Sequence, residues 1–269
     1  MSLLFPDKLR IHLAPGYLVV ARTRKATVLH ADARQVLVGA GLDWPAMLET
    51  LATMLEAADV APVLATVTLS SRIAPLIVMP WRDDATSPEQ QALLAAARLS
   101  ASHGCASADW DCVAADNGYG LPWVASGLRR DFVAALKLTL SDARVKAGSI
   151  VPLALGLFNA QRARLPARAP AWLLVPENDR LVCWYCEGRM PRECFSLPLP
   201  ADGDEPVSSL LQRESMLRGM PVAPADLFVM ASHPSGPLAE RSVQRLFPYW
   251  RCEAGVSSSF PLHWLGGGR

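Results

Sequence analysis

Residues 9–23 read LRIHLAPGYLVVART. From Leu9 to Leu13 apolar and polar residues alternate, the period of a strand with one face in a core. Pro15-Gly16 is a turn signal, and Tyr17 to Ala21 is rich in β-formers. A third strand is expected at Thr27 to Ala31 or a little later, at Gln35 to Val38. The chain thus opens on strands in succession.

Further along the chain, Asp43-Trp44-Pro45 offers an N-cap and a first-turn proline for a helix ending near Ala58. Met47, Leu48, Leu51, Leu55 and Ala58 fall at helical spacing along it. A strand is expected from Pro62 to Leu69 and a short extended segment from Ile73 to Met79. Ser87-Pro88-Glu89 caps a second helix, with Leu93, Leu94, Ala97 and Ala101 as its inner face. A strand at Asp111 to Ala115 precedes a long helix from about Trp123 to Lys146. On that helix Val124, Leu128, Phe132, Leu136 and Leu140 would share a stripe. From Gly148 the order starts again. A short strand (Ser149 to Pro152) and a helix (Leu153 to Arg164) lead to strands at Ala171 to Val175, Leu181 to Cys186 and Arg189 to Leu197. A helix from Glu205 to Leu217, a strand at Asp226 to Met230 and a short C-terminal helix complete the reading. Strands mixed with helices in this order predict mixed sheets flanked by helices, an α/β protein of two lobes, 1–147 and 148–269.

Whole-chain numbers narrow the classes. Hydrophobic residues are 51% of the 269 and charged residues 19%, too apolar for a disordered chain. No apolar run approaches the ~18–20 residues that a membrane-spanning helix needs, and the N-terminal MSLLFPDKLR lacks a signal-peptide cleavage pattern. A cytoplasmic protein without a membrane span is expected. The formal charge of +1 supplies no field to collect nucleic acid. Six scattered cysteines in so long a chain do not make a disulfide scaffold.

Four stretches, in order, carry a resemblance. They are LRIHLAPGYLVVART, then LSSRIAPLIVMPWRDDATSPEQQALLAAARLSASHG, then LPWVASGLRRDFVAALKLTLSDARVKAGSIVPLALGLFN, and AWLLVPENDRLVCWYCEGRMPRECFSLPL. Together the chain resembles the cytoplasmic region of the type II secretion platform protein L and the related type IV pilus assembly protein M (GspL-like and PilM-like). The resemblance implies an actin/Hsp70-like (RNase H-like) fold in each lobe. It also implies work as a scaffold or adaptor of an inner-membrane assembly platform. The expected partners are platform proteins, among them the cytoplasmic tail of a single-span membrane protein. Platform protein L continues into a membrane helix and this chain ends first, so it is expected to be a truncation or the soluble kind. Recruitment to the inner face of the inner membrane follows from the same resemblance.

Members of this fold that hydrolyse ATP need glycine- and hydroxyl-bearing hairpins whose amides wrap phosphates, and aspartates that hold Mg²⁺ through water. The first such hairpin here, Leu13 to Tyr17, has no acid or hydroxyl, and Pro15 removes an amide donor. The second, Val175 to Arg180, has Glu177 and Asp179 but no glycine or hydroxyl, and its charged residues read as a solvated tip. No ATP hydrolysis, no cofactor and no catalytic residue are expected. The alternative is an actin-fold ATPase or sugar-kinase-like enzyme with atypical phosphate loops; a third class, nucleic-acid processing, would need inward carboxylates that Asp7, Asp111 and Asp226 do not obviously supply.

The five histidines lie far apart, so no metal site is expected. Cys183-Trp-Tyr-Cys186 is formally CxxC but falls inside a strand, where i and i+3 point to opposite faces.

Surface chemistry points instead to docking. Arg130, Lys137 and Arg144 recur every seven residues on the expected long helix, with Arg129 and Lys146 beside them, as a basic stripe. Trp81 and Trp123 each sit next to a proline at an element boundary, where tryptophan plugs a core end or anchors an interface. These five residues, Trp81, Trp123, Arg130, Lys137 and Arg144, are the candidate partner contacts.

Overall fold

A computed structural model describes residues 7–24, 27–36, 43–58, 63–115, 117–177, 180–198, 207–220 and 226–229. The described residues fall into two compact units, one up to Gly156 and one from Leu157. The expected C-terminal helix lies outside the described residues.

In the first unit the chain runs β1 (Lys8–Ala14), β2 (Tyr17–Arg24), β3 (Thr27–Gln35), α1 (Trp44–Ala57) and β4 (Val63–Leu69). It continues through β5 (Leu76–Met79), α2 (Pro88–His103), β6 (Trp110–Ala115), β7 (Trp123–Arg129), α3 (Arg130–Asp142) and β8 (Val145–Pro152). The hairpin read from residues 9–23 is present. Ala14 stands opposite Tyr17 across Pro15-Gly16, and Gly16 takes φ 79°, a value that glycine adopts without steric cost. β3 adds a third antiparallel strand, while β4 runs parallel to β1 and β8 parallel to β4. The sheet order is β3-β2-β1-β4-β8.

One face of this sheet carries the core. Leu9, Ile11 and Leu13 of β1 and Val67 and Leu69 of β4 pack with Leu51 and Met54 of α1 and Phe132, Leu136 and Leu140 of α3. Each large side chain buried there is worth about 1.5–3 kcal/mol relative to exposure. Asp43 caps α1 by accepting the Ala46 amide at 3.2 Å, with Pro45 in the first turn, as the sequence anticipates. Ser87 and Gln90 form a capping box at the start of α2, which ends on Gly104 at φ 68°.

Between β4 and α3 the chain builds a separate small sheet of order β5-β7-β6, antiparallel throughout, with α2 against one side. This corrects the expected long helix: Trp123–Arg129 is a strand, and α3 spans only Arg130–Asp142. Val124 and Leu128 are four apart, a spacing that a two-residue period satisfies as well as a helical one. Pairing on both edges, with β5 and β6, supplies what local periodicity could not decide.

The inner face of α2 is a second correction. Gln91, Ala95, Ala96 and Leu99 are buried, and Leu93 is 71% exposed. Gly127 gives the reason: a Cβ built there would lie 2.4 Å from Leu99 Cδ1 and 2.9 Å from Trp110 Cε3, so Leu99 sits directly on glycine backbone. A sheet floor of Ala125 and Gly127 draws the alanine side of the helix inward.

The second unit repeats the opening order. β9 (Pro170–Glu177), β10 (Arg180–Glu187) and β11 (Met190–Pro198) form a meander, and after α5 (Val207–Leu217) comes β12 (Asp226–Val229). Its sheet order is β11-β10-β9-β12, with β12 parallel to β9 as β4 is to β1. Trp184 of β10 is fully buried and stacks on Phe158 at 4.7 Å between ring centroids. Phe158 belongs to α4 (Leu153–Gln161), the helix that carries the chain out of the first unit. A lobe boundary at 147/148 cuts through β8, whose residues Val145 to Pro152 pair with β4; the compact units divide nine residues later.

Candidate partner-binding site

The β1–β2 tip is where a phosphate would have to be gripped. It consists of Pro15 and Gly16 alone, so the Gly16 amide is its single backbone donor. The Gly16 carbonyl is engaged by the Val36 amide at 3.1 Å, and the Leu13 carbonyl by the Ser70 amide at 2.9 Å. The tip is therefore tied into the sheet rather than opened as a loop. In the second unit the matching hairpin puts Arg180 opposite Glu177, and residues 178–179, with Asp179 among them, lie outside the described residues. Glu177 differs from its reading as a solvated tip: it is 8% exposed, at the buried end of β9.

The other chemical candidates are packed groups. Cys183 and Cys186 lie within β10, both fully buried, and burial raises both thiols, Cys186 to about 12. Such thiols hold no useful thiolate near neutrality. Among the described residues, no three His, Cys, Asp or Glu side chains gather where a metal ion could be held.

His12 lies in the middle of β1 and is buried. Its Nδ1 is 3.1 Å from the Thr68 hydroxyl, which itself donates to the Ile11 carbonyl at 3.1 Å. The hydroxyl proton is thus spent, and Nδ1–H is the donor. Burial depresses the imidazole from 6.5 to about 4, with a hydrogen bond to the Thr68 backbone opposing. An unfolded chain takes up this proton below about pH 6.5 and the folded one refuses it until about pH 4. His12 accordingly removes about 3 kcal/mol of stability as pH falls through that window. Urea unfolding at several pH values checks this: His12→Asn, which keeps a donor near Nδ1, should flatten that part of the profile, and an unchanged profile would contradict it.

The five candidate partner contacts separate. Trp123 is fully buried beside Ala95 and Ala125 and presents no surface to a partner. Trp81, just after β5, is half-buried; its indole N–H donates to Asp83 at 2.9 Å. Its ring packs at 4.9 Å on Tyr119, which is 84% exposed in the β6–β7 loop between Gly118 and Gly120, both at positive φ. The sequence reading missed Tyr119, although an aromatic flanked by glycines in a loop is a signal of an unburied ring.

The basic stripe does not form as one helical row. Arg130 is the first residue of α3 and its Nε donates to the Trp110 carbonyl at 3.1 Å. Lys137 is exposed in mid-helix, and Arg144 follows the helix end at φ 57°. Arg129 pairs with Asp131 at 3.3 Å, and Lys146 stands on β8.

Solved structures supply the comparison. The chain superimposes on a Bacteroides thetaiotaomicron protein of unknown function described as having an actin-like ATPase fold, with TM-score 0.62 and 9% identity, covering 92% of this chain and 91% of that one. The fold is actin-like. The actin-like chain is also similar to the cytoplasmic domain of EpsL, an inner-membrane component of the type II secretion system of Vibrio cholerae: TM-score 0.56, 13% identity, 96% of this chain and 92% of that one. It is similar again to a structure of the PilM–PilN type IV pilus biogenesis complex, with TM-score 0.62 and 14% identity over 96% of this chain and 89% of that one. No family model and no curated protein matches the sequence. Among the described residues of the actin-like chain, no helix is long and apolar enough to cross a membrane.

Proposed function

We propose that this chain is a non-catalytic adaptor of a bacterial type II secretion or type IV pilus assembly platform, held at the cytoplasmic face of the inner membrane by partner proteins. The observation that carries the reading is the β1–β2 tip, where one amide stands in place of a phosphate cradle. A triphosphate needs several converging donors and a metal to offset its charge, and a single N–H is worth about 1–3 kcal/mol even to a charged group. An actin-fold ATPase or sugar-kinase-like enzyme would need that cradle. The likeness to an EpsL cytoplasmic domain and to a PilM–PilN complex supports platform duty in particular.

Docking would use the Trp81–Tyr119 pair, with a cytoplasmic segment of a membrane protein as the partner. Aromatic side chains that stand partly free of the core supply large contact area at small entropic cost. Affinity capture on the purified chain from bacterial membranes, read by mass spectrometry, tests the role. Recovery of secretion or pilus platform components supports it, and a membrane fraction that yields none under low-salt conditions overturns it.

A further inference from the structure

The face of the five-stranded sheet opposite its core is buried around His12, Val19 and Thr68 and exposed at one end, and strand register shows what that end presents. Lys8, Leu64 and Lys146 align in one row across β1, β4 and β8. Arg10, Thr66 and Ser149 form the next row. Their neighbours Leu9, Ala65 and Val145 point into the core, so these residues point away from it. Lys8 and Lys146 are exposed, and Leu64 is 56% exposed. Leu64 lies down on Gly148, where a Cβ would come within 2.7 Å of its Cγ. Neighbouring strands are ~4.8 Å apart, so two ammonium-bearing stems flank an exposed leucine across ~10 Å.

Charge on the two faces is sorted. Asp7 and Asp32 lie with the core-side row, where they pair with Arg22, Arg24 and Arg34 at 2.6–3.0 Å. None of the described strand residues on the second face is acidic. Lysine beside an exposed leucine, with no carboxylate among the described strand residues of this face, is complementary to a negatively charged ligand that also brings an apolar group.

We propose that this face docks an acidic polypeptide segment whose carboxylates straddle an apolar side chain seated on Leu64. A lipid surface is the weaker fit by magnitude. Each basic group near an anionic leaflet contributes ~1 kcal/mol, and the cations of this face amount to less than stable attachment requires. A peptide can bring carboxylates into hydrogen-bonding range of both lysines and cover Leu64 at once. The surface is independent of the Trp81–Tyr119 pair, so its failure and that of the platform role are distinguishable.

The test is fluorescence anisotropy with two labelled probes, a Glu-Glu-Leu-Glu-Glu peptide and its Gln-Gln-Leu-Gln-Gln counterpart. The acidic probe should bind at about 50 mM salt and weaken at least about tenfold by about 300 mM. Lys8→Glu combined with Lys146→Glu should abolish binding, and Leu64→Ser should weaken it without altering the salt response. Unchanged thermal melting of the variants verifies that they fold. Equal binding of the two peptides, or no effect of the double substitution, overturns the proposal. So does a preference of the wild-type chain for phosphatidylglycerol vesicles over the acidic peptide that the double substitution removes, because the face would then serve lipid.

Discussion

Trp123→Ala lowers the unfolding free energy by about 3–5 kcal/mol, the cost of emptying a fully buried aromatic site. The site can collapse only in part. Trp123 begins the central strand β7, with β5 and β6 paired on either side and α2 above. Its buried neighbours Ala95 and Ala125 are too small to reach into the void, and the partly buried Ile77, Met79 and Leu94 can fill it only from the edge, so part of the cavity term persists. Marginal domains hold only about 5–15 kcal/mol in total. The variant should therefore show a clearly lower urea midpoint, or unfold the inserted sheet ahead of the rest. A midpoint within error of wild type would contradict the packing described for β7.

Trp81→Ala should behave in the opposite way. Trp81 is half-buried and outside that cluster, so its loss should cost about 1 kcal/mol of stability or less. Its effect should appear in partner affinity. If Trp81 and Tyr119 anchor the partner, truncating either should weaken binding by about 2 kcal/mol, roughly 30-fold. Their rings touch at 4.9 Å, so the double variant should lose less than the sum of the single losses. Surface plasmon resonance against the captured platform component measures this. Wild-type affinity in Trp81→Ala with intact folding would remove the pair from the interface.

The contrast between the two tryptophans shows how far sequence reading carries. Both stand beside a proline at an element boundary, and local pattern treats them alike; burial separates them only through the sheet that β7 completes. The hairpin at residues 9–23 was legible because alternation and turn residues agree, and the one at 170–187 because two short apolar runs flank a charged, proline-bearing turn. The caps Asp43 and Ser87 were legible for the same reason. The 123–129 segment was not, since a spacing of four suits either period. The inner face of α2 was decided by Gly127 on another strand, beyond the reach of helix periodicity. The row Lys8, Leu64 and Lys146 exists only through register between strands far apart in sequence.

The proposed adaptor role depends most on a β1–β2 turn that offers one amide donor where a triphosphate needs several. Isothermal titration of the purified chain with ATP and Mg²⁺ measures this directly. The expected result is no saturable heat up to about 1 mM nucleotide, which corresponds to less than about 4 kcal/mol of binding free energy. A Mg²⁺-dependent dissociation constant in the micromolar range, about 8 kcal/mol, would contradict it.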